Sequence, residues 1–528
     1  MKTKYKVLTF SLILAITMGL SSCSEDFLQT VPTDSVSTEI ALGSADNMML
    51  AINGMHRALY AQNGQISNYA GQQYMIPMAE FGADDALHSK LGNGWFRANI
   101  QWIMHTNATR GDLSYTWFLY YNVIGSANNI INAAKDMQMT GELNNVLGQA
   151  YTYRAWAYFN LVRFFGKAYM IGNPASDLGV PIMLATEPPY EGLPRNTVQE
   201  VYTQIKSDLD KAMVHFADAS ARVDITHLNI DVAKGVAARV YLTIGDWANA
   251  EKYSREARAK YTLMSETQFK SGFNSISNPE WIWGSKVIED QTAYFYSYFY
   301  YTSNNFNGSQ NRSNPKFMNK NLYNKMSETD YRRDLILKDA PNTFFAWDKG
   351  DNAGRYASKA EFDAEVKKYR TIVNNSTAHA MIPYMHIKLQ QSDGPTITPM
   401  DVIHMRAAEM YLIEAEALAR QSKNTEAQDV LYALVSTRDS GYAKSTNTGQ
   451  ALVDEILVQR RFELFLEGHR WFDMLRNDEA LDLTGSGADQ TLYLEGYKQA
   501  KPSANPKWVF LIPQREIDAN SLIEQNKH

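Results

Sequence analysis

The sequence predicts a mainly α-helical protein in which packed helical pairs carry a loop-rich, partly β insertion lobe. Three observations lead to this prediction. Apolar residues recur at steps of three and four over long stretches, and a pattern of small and larger residues recurs at matching offsets in two distant helical pairs. Residues 261–400 lack that periodicity and are rich in Asn, Gly, Ser and Thr. A chain of 528 residues with 45% hydrophobic content has ample material for a large core.

The N-terminal half predicts several helices separated by loops. The first is expected over residues 44–62, and the next two at 113–134 and 147–165. Thr197 predicts the start of another helix, because Glu200 follows three residues later in capping-box spacing. Residues 63–105 are mixed in composition, so we expect loops with short segments there.

Two stretches share a pattern of small and larger residues. Residues 233–259 and 405–435 carry the same offsets, at Ala250, Ser254 and Ala257 and at Ala427, Leu431 and Leu434. This spacing resembles the tetratricopeptide repeat, in which small residues let two antiparallel helices approach closely. One such unit cannot bury its face alone, so at least three are expected. The other candidates are 113–165 and 197–217 with 231–259, which long insertions separate.

The N-terminus predicts a lipid anchor. An uncharged run, Val7–Leu20, follows three lysines and is too short to span a bilayer as a helix. Leu20-Ser21-Ser22-Cys23 resembles the lipobox of bacterial lipoproteins, where the signal is cut before an acylated cysteine. We therefore expect a signal peptide over residues 1–22, a lipid-carrying Cys23 and a tether over residues 23–40. The alternative is an ordinary secretory signal with a chance cysteine.

Charge, cysteine content and motifs exclude several function classes. The net charge is −6, and no basic stripe occurs, which argues against nucleic acid as a partner. A single cysteine allows no internal disulfide and no thiolate metal site. The sequence has no Gly-x-Ser-x-Gly elbow, no His-Glu-x-x-His and no phosphate-binding glycine loop. We expect no catalytic residues, no cofactor and no metal ion.

The C-terminal third carries a family resemblance. The strings Val402–Arg420, Arg460–Arg476 and Trp508–Asn526 resemble the SusD/RagB family of lipid-anchored nutrient-binding proteins of Bacteroidetes. The resemblance implies an N-terminal helical region with binding loops over 41–260, a variable lobe over 261–400 and a C-terminal helical region over 401–528.

The resemblance also implies a function. A member of this family captures an oligosaccharide outside the outer membrane, passes it to a SusC-like TonB-dependent transporter and performs no chemistry on it. A peptide ligand, as in the RagB branch, is an alternative. So is a surface glycoside hydrolase, because its two carboxylates need not be close in sequence. A helical-repeat scaffold that binds only protein is a third.

The most specific motif runs from Arg461 to Asp473 and contains Glu463, Glu467 and Arg470. Acids, arginines and a histidine close together could suggest catalysis. Glu463 and Glu467 are i,i+4 neighbours that arginines can bridge, and such pairs fix the orientation of packed helices. We therefore predict a structural role.

The first candidate ligand site is Asp84–Trp102. Sugars pack their apolar faces against aromatic rings, so exposed rings on rigid loops are the feature to seek. Trp95 lies in a glycine-rich segment, and nearby polar side chains could bond hydroxyls: Asp84, Arg97 and Asn99. Packing is the alternative for Trp95, and helix capping or backbone hydrogen bonding is the alternative for Asp84. Trp102 is expected in the core.

The second candidate is a row of tyrosines followed by amides. In a strand, alternate side chains would share one face, namely Tyr294, Tyr296, Tyr298 and Tyr300. The amide side chains of Asn304 and Asn305 could then recognise hydroxyls. The alternative is a strand buried on both sides. We assign Trp281 and Trp283 to the core.

Overall fold

The computed structural model describes residues 41–62, 69–90, 93–185, 192–288, 290, 296–391, 394 and 396–528. Cys23, its signal and tether, and Tyr294 lie outside the described residues. Within these ranges, no helix combines the length and apolar character needed to cross a membrane.

The helices are, in chain order, α1 (Ala45–Ala58), α2 (Gln72–Phe81), α3 (Arg97–Ile100), α4 (Gly111–Ala133), α5 (Gly141–Phe165), α6 (Val198–Ala217), α7 (Ile230–Ile244), α8 (Trp247–Arg258), α9 (Glu266–Phe269), α10 (Tyr298–Thr302), α11 (Ser309–Ser313), α12 (Lys320–Tyr323), α13 (Lys359–Val373), α14 (Ala407–Arg420), α15 (Asn424–Val435), α16 (Gly449–Glu463), α17 (Arg470–Asn477), α18 (Gln490–Tyr493) and α19 (Gln514–Ala519). The strands are β1 (Ala86–His88), β2 (Trp281–Ser285), β3 (Lys316–Met318), β4 (Ile336–Leu337), β5 (Met385–His386), β6 (Val402–Arg406), β7 (Leu481–Asp482) and β8 (Lys498–Gln499). Short 3₁₀ turns cover Tyr331–Leu335, Gly350–Asn352, Leu494–Tyr497 and Pro506–Trp508.

The predicted helices form, although α5 begins at Gly141, six residues before its expected start at residue 147. Thr197 caps α6, its hydroxyl accepting from the Glu200 N–H while the Glu200 carboxylate accepts from the Thr197 N–H. The sequence did not predict α2 as a regular helix, and α2 lies inside the stretch 63–105 that was expected to hold loops with short segments. Every residue of α2 is buried, so it has no polar face to create an amphipathic period.

The helices stack in the order that repeats require, and the mainly α, tetratricopeptide-like fold class is confirmed. Each helix from α4 to α8 packs against the next. Helix α8 then packs against α14, which contacts α15 and α16. The small positions Ala250, Ser254 and Ala257 are buried where α8 meets its neighbours. Because these side chains are small, the paired helices can approach each other closely.

The lobe between α8 and α14 leaves and re-enters the stack at one place. Strand β2 pairs antiparallel with β6, with Trp281 opposite Arg406. The two ends of the insertion are therefore hydrogen-bonded to each other. Trp281 and Trp283 are each 1% exposed, which confirms their assignment to the core. A four-stranded sheet of order β1-β3-β5-β4 ties the lobe to the N-terminal region.

The predicted strand of tyrosines is wrong. Ser297 caps the short helix α10, and its hydroxyl accepts from the Tyr300 N–H. Tyr298 and Tyr300 are two positions apart, so in a helix their side chains point in different directions, whereas in a strand they would share one face. Both are buried. A run of aromatic residues that is buried on all sides fits the helical period and the strand period equally well, so the sequence pattern does not distinguish the two.

Candidate functional site

The acid and arginine motif of the sequence lies in a buried ionic cluster where the lobe meets the helices. Arg406 occupies its centre: one terminal nitrogen (Nη1) lies 2.6 Å from Glu280 and 2.7 Å from Glu463, and its Nε lies 2.8 Å from Glu467. We call this the junction cluster. Among the described residues its cations are Arg332, Lys388, Arg406 and Arg438, and its anions are Glu280, Asp330, Glu463 and Glu467.

The junction cluster is closed to solvent and balanced in charge. Glu463 is 0% exposed and contacts Arg332, Arg406 and Arg438. Burial alone would raise its pKa, but the three guanidinium groups hold that pKa well below the usual range. Paired, fully hydrogen-bonded charges of this kind fix how elements pack. The geometry agrees with the predicted structural role for Glu463 and Glu467.

Asp84 also lies in an ion pair inside the fold. Its carboxylate accepts from Arg470 Nε at 2.6 Å and from Arg461 at 3.1 Å. Burial would raise its pKa, but Arg461 and Arg470 lower it below the ordinary value. Asn99 is 4% exposed and lies against Gly82. Contrary to the expectation of exposed recognition groups, both side chains are buried: Asp84 is held in its ion pair, and Asn99 borders a cavity beside Trp95.

Trp95 lies on a loop that is anchored at both sides. Gly94 and Phe96 have positive φ values of 85° and 56°, which turn the chain sharply. The Phe96 ring is buried, stacking on Tyr74 at 5.1 Å. Before the turn, the Asn93 N–H donates to Gln310 at 3.1 Å. Trp95 is therefore displayed by a fixed backbone.

The structure brings the two predicted sites together. The partly exposed Trp95 ring meets the Tyr296 ring edge to face at a centroid distance of 5.4 Å, and the Tyr300 ring at 6.3 Å. Tyr296 is also partly exposed, whereas Tyr300 is 3% exposed. Arg97 is exposed two residues after Trp95. We call Trp95, Tyr296 and Arg97 the aromatic surface.

A cavity of about 160 Å³ adjoins Trp95 and Arg97. Its polar lining includes Arg110 and Asp112, which sequence reasoning missed. Asp112 accepts from the Tyr74 hydroxyl at 2.8 Å and from Arg110 at 2.6 Å. Burial, followed by the Asp112 charge, raises the Tyr74 pKa well above its ordinary value. Nothing in the sequence distinguishes Arg110 and Asp112 from ordinary residues at the start of a helix.

A second set of exposed rings lies in the lobe. Phe345 is 46% exposed, with Phe344 and Trp347 partly exposed beside it. The buried Asn352 amide holds this turn by donating to the Asn342 carbonyl at 2.8 Å and the Ala346 carbonyl at 3.1 Å. The ammonium of Lys90 lies 3.7 Å from the Phe344 ring centroid. The signal in the sequence was the Phe-Phe-Ala-Trp run itself.

The other predicted ligand contacts are structural. Tyr298 is 0% exposed, and its hydroxyl donates to the Leu466 carbonyl at 2.6 Å. Asn304 donates to the carbonyls of Lys316 and His386, and Asn305 exchanges hydrogen bonds with the Gln391 backbone. These amides close the lobe and leave no group for a sugar. In the described part of the chain, no cluster of three or more His, Cys, Asp or Glu could hold a metal ion.

Comparison with known families decides the identity. Residues 247–528 match the model of the SusD family, and residues 47–242 match a SusD-like model described as starch-binding and associating with the outer membrane. The chain belongs to the SusD family. This is a glycan-binding, outer-membrane-associated family, and the predicted resemblance is confirmed.

Relatives of this SusD-family chain match it over nearly its whole length. SusD-like protein P38 of Formosa agariphila is 23% identical, covering 91% of this chain and 93% of that protein. The structure of a SusD-like carbohydrate-binding protein from Bacteroides vulgatus has a TM-score of 0.74 at 23% identity, covering 91% of this chain and 97% of that one. A laminarin-binding SusD-like protein has a TM-score of 0.63 at 19% identity, covering 91% and 98%. At these identities the structures show a common fold.

Proposed function

We propose that this SusD-family chain captures an oligosaccharide at the aromatic surface formed by Trp95, Tyr296 and Arg97. The observation that carries the proposal is the meeting of Trp95 and Tyr296 at 5.4 Å, on a backbone fixed by Phe96 and Asn93. Two rings at an angle offer two apolar faces to one ligand. Rigid presentation reduces the entropy lost on binding.

Polar groups beside the rings suit hydroxyl recognition. Arg97 is exposed, and Arg110 and Asp112 line the adjoining cavity. A sugar that packs against Trp95 would place its rim within reach of these donors and acceptors. Within the proposal, the exposed turn at Phe345 and Trp347 offers contacts to a longer chain. The laminarin-binding and starch-binding descriptions of similar proteins and of the family model make glucans the first ligands to test.

The same proposal includes delivery. Cys23 anchors the mature chain by acyl groups to the outer membrane, facing outward, and a SusC-like transporter receives the glycan. Replacement of Cys23 by Ser should release the protein from the membrane, as fractionation would show. Antibody that fails to reach the intact protein on whole cells would contradict the outward orientation.

Calorimetry with malto- and laminari-oligosaccharides tests the binding site. Trp95→Ala should weaken the affinity about 30-fold, because loss of a central aromatic contact costs about 2 kcal/mol or more. Trp247→Ala is the matched control: Trp247 is a partly exposed tryptophan on α8, away from the lining of the cavity. Equal affinity of Trp95→Ala and the parent protein would exclude this surface.

The alternatives predict different results. A RagB-like peptide receptor would bind peptides and no glycan in the same titrations. A glycoside hydrolase would release new reducing ends from the polysaccharide during incubation. Either result would contradict the proposal that the protein captures a glycan and does not alter it chemically.

A further inference from the structure

A second cavity, of about 420 Å³, lies along α4, on the side that faces the C-terminal segment. It shares no lining residue with the cavity beside Trp95. Its volume is within the range of small-ligand pockets. The lining residues that matter are Trp117, Phe118, Tyr121, Glu516, Asn520 and Ile523.

The walls of this cavity are mainly aromatic and aliphatic. The rings of Trp117 and Tyr121 lie 4.8 Å apart, and Phe118 is 49% exposed. Leu522, next to the lining, is 47% exposed. Large apolar side chains exposed together around a concavity mark interaction sites more often than chance exposure.

Three neutral polar side chains of the lining, those of Tyr121, Asn128 and Asn520, are already hydrogen-bonded within the fold, and a fourth, Asn122, is exposed. The Tyr121 hydroxyl donates to the Pro181 carbonyl at 2.8 Å. Asn128 donates to Met183 at 2.9 Å and accepts from Arg154 at 2.8 Å. The Asn520 amide donates to Leu193 and accepts from the Leu522 N–H. A sugar would find few free partners for its hydroxyls, so the cavity suits a different ligand chemistry.

Glu516 is the ionisable acid of this lining. Burial raises its pKa, and a hydrogen bond from the Trp117 side chain opposes that rise. It forms no salt bridge with any basic group that the structure describes. Arg195, whose charge acts on Tyr121, instead directs its donors to other acceptors: Phe165, Leu178, Gly179, Glu524 and Asn526.

We propose that this cavity receives an arginine or lysine side chain of a partner protein, with the carbon stem against the rings of Trp117, Phe118 and Tyr121 and the charged end on Glu516. Basic side chains combine an apolar stem with a cationic end, which matches a cavity of rings with one carboxylate. Arginine is one of the residues enriched at interface hot spots. The site is independent of glycan capture at Trp95.

A pair of small probes tests the charge requirement on the full mature chain. Benzamidine is an aromatic cation, and benzamide is its neutral counterpart of nearly the same shape. Ligand-observed NMR titration should show benzamidine binding about tenfold more tightly, as expected for one charge-assisted contact. Equal affinities would overturn the proposal, and so would absence of binding by both probes.

Variants then locate the contact. Glu516→Gln keeps the shape and an acceptor for Trp117, and it should lower benzamidine affinity about tenfold without changing that of benzamide. Asp518→Asn is the matched control, because it removes the same charge from an exposed position of α19. If both variants lose affinity equally, the effect is general electrostatics and the assignment of Glu516 is wrong. Oligosaccharide affinity should not change in either variant.

Photo-crosslinking identifies whether the occupant is a protein. A benzophenone amino acid at Phe118, in cells, should capture peptides that contain Arg or Lys at the crosslinked segment, and Glu516→Gln should reduce their yield. Crosslinked peptides without a basic residue, or a yield unaffected by Glu516→Gln, would overturn the proposal.

Discussion

The junction cluster and the aromatic surface both contain residues that the sequence offered as possible functional groups, and they differ in burial. At the junction, Glu463 is 0% exposed and Arg406 is 1% exposed, and each of the two forms salt bridges with more than one other segment of the chain. At the aromatic surface, Trp95 and Tyr296 are partly exposed and meet edge to face. An acid or a ring predicts recognition only if it is exposed. The comparison teaches that burial, more than residue type, separates the two roles.

The largest effect is expected at the junction. Glu463→Gln removes the anion that contacts three arginines and leaves buried cations uncompensated, which should cost about 3–5 kcal/mol of unfolding free energy. Urea or thermal unfolding measures this loss. Glu365→Gln, on the solvent-facing side of α13, is the control and should change stability little. A Glu463→Gln protein of parental stability that had lost glycan binding would make the junction a binding site.

Glu80 provides a pH test of the same buried region. Its Oε1 accepts from the backbone N–H groups of Gly468 and His469, at 2.7 and 2.8 Å, at the start of α17. Burial, with the charge of Asp85, raises its pKa from 4.5 to about 7. The native state therefore holds this proton more tightly than the unfolded state between those values, so stability should fall as pH rises from about 4.5 to about 7.

The expected contribution of Glu80 across that interval is roughly 3 kcal/mol. Unfolding curves at several pH values measure it, and Glu80→Gln should remove this part of the pH dependence. Identical slopes in the parent and the variant would show that Glu80 titrates in the native state as it does when unfolded.

Tyr296 and Tyr298 allow a direct comparison of the aromatic surface with the buried interior. Tyr298→Phe removes the donor to the buried Leu466 carbonyl and should cost about 1–3 kcal/mol of stability, with oligosaccharide affinity unchanged. Tyr296→Ala should leave stability within about 0.5 kcal/mol and weaken affinity by about 1 kcal/mol, roughly fivefold. Calorimetry and unfolding on both variants measure the two quantities. If Tyr298→Phe lowered the affinity and Tyr296→Ala lowered the stability, the roles assigned to the two tyrosines would be reversed.

The smallest effect should come from an exposed ion pair. Lys359 and Asp363 lie 2.6 Å apart on α13, both largely exposed to solvent. Asp363→Ala should change unfolding free energy by about 0.5 kcal/mol or less, and less still in high salt. A loss comparable with Glu463→Gln would show that burial is not what distinguishes the junction cluster.

Local patterns were sufficient for much of the scaffold. The capping box at Thr197 and the small positions of α8 are encoded within a few residues, and both form as predicted. The core assignments of Trp102, Trp281 and Trp283 also hold. By contrast, α2 and α10 were not recognised, because complete burial removes the polar face on which periodicity depends.

The sequence by itself determined the helical repeats, the family and the kinds of residue that could hold a sugar. Only the tertiary structure decided which of these residues are exposed. Asp84 is neutralised by Arg461, 377 positions away, and Trp95 meets Tyr296 from a separate segment of the chain. Helix formation depends on neighbours three or four residues apart, whereas burial depends on contacts between distant segments that no local pattern records.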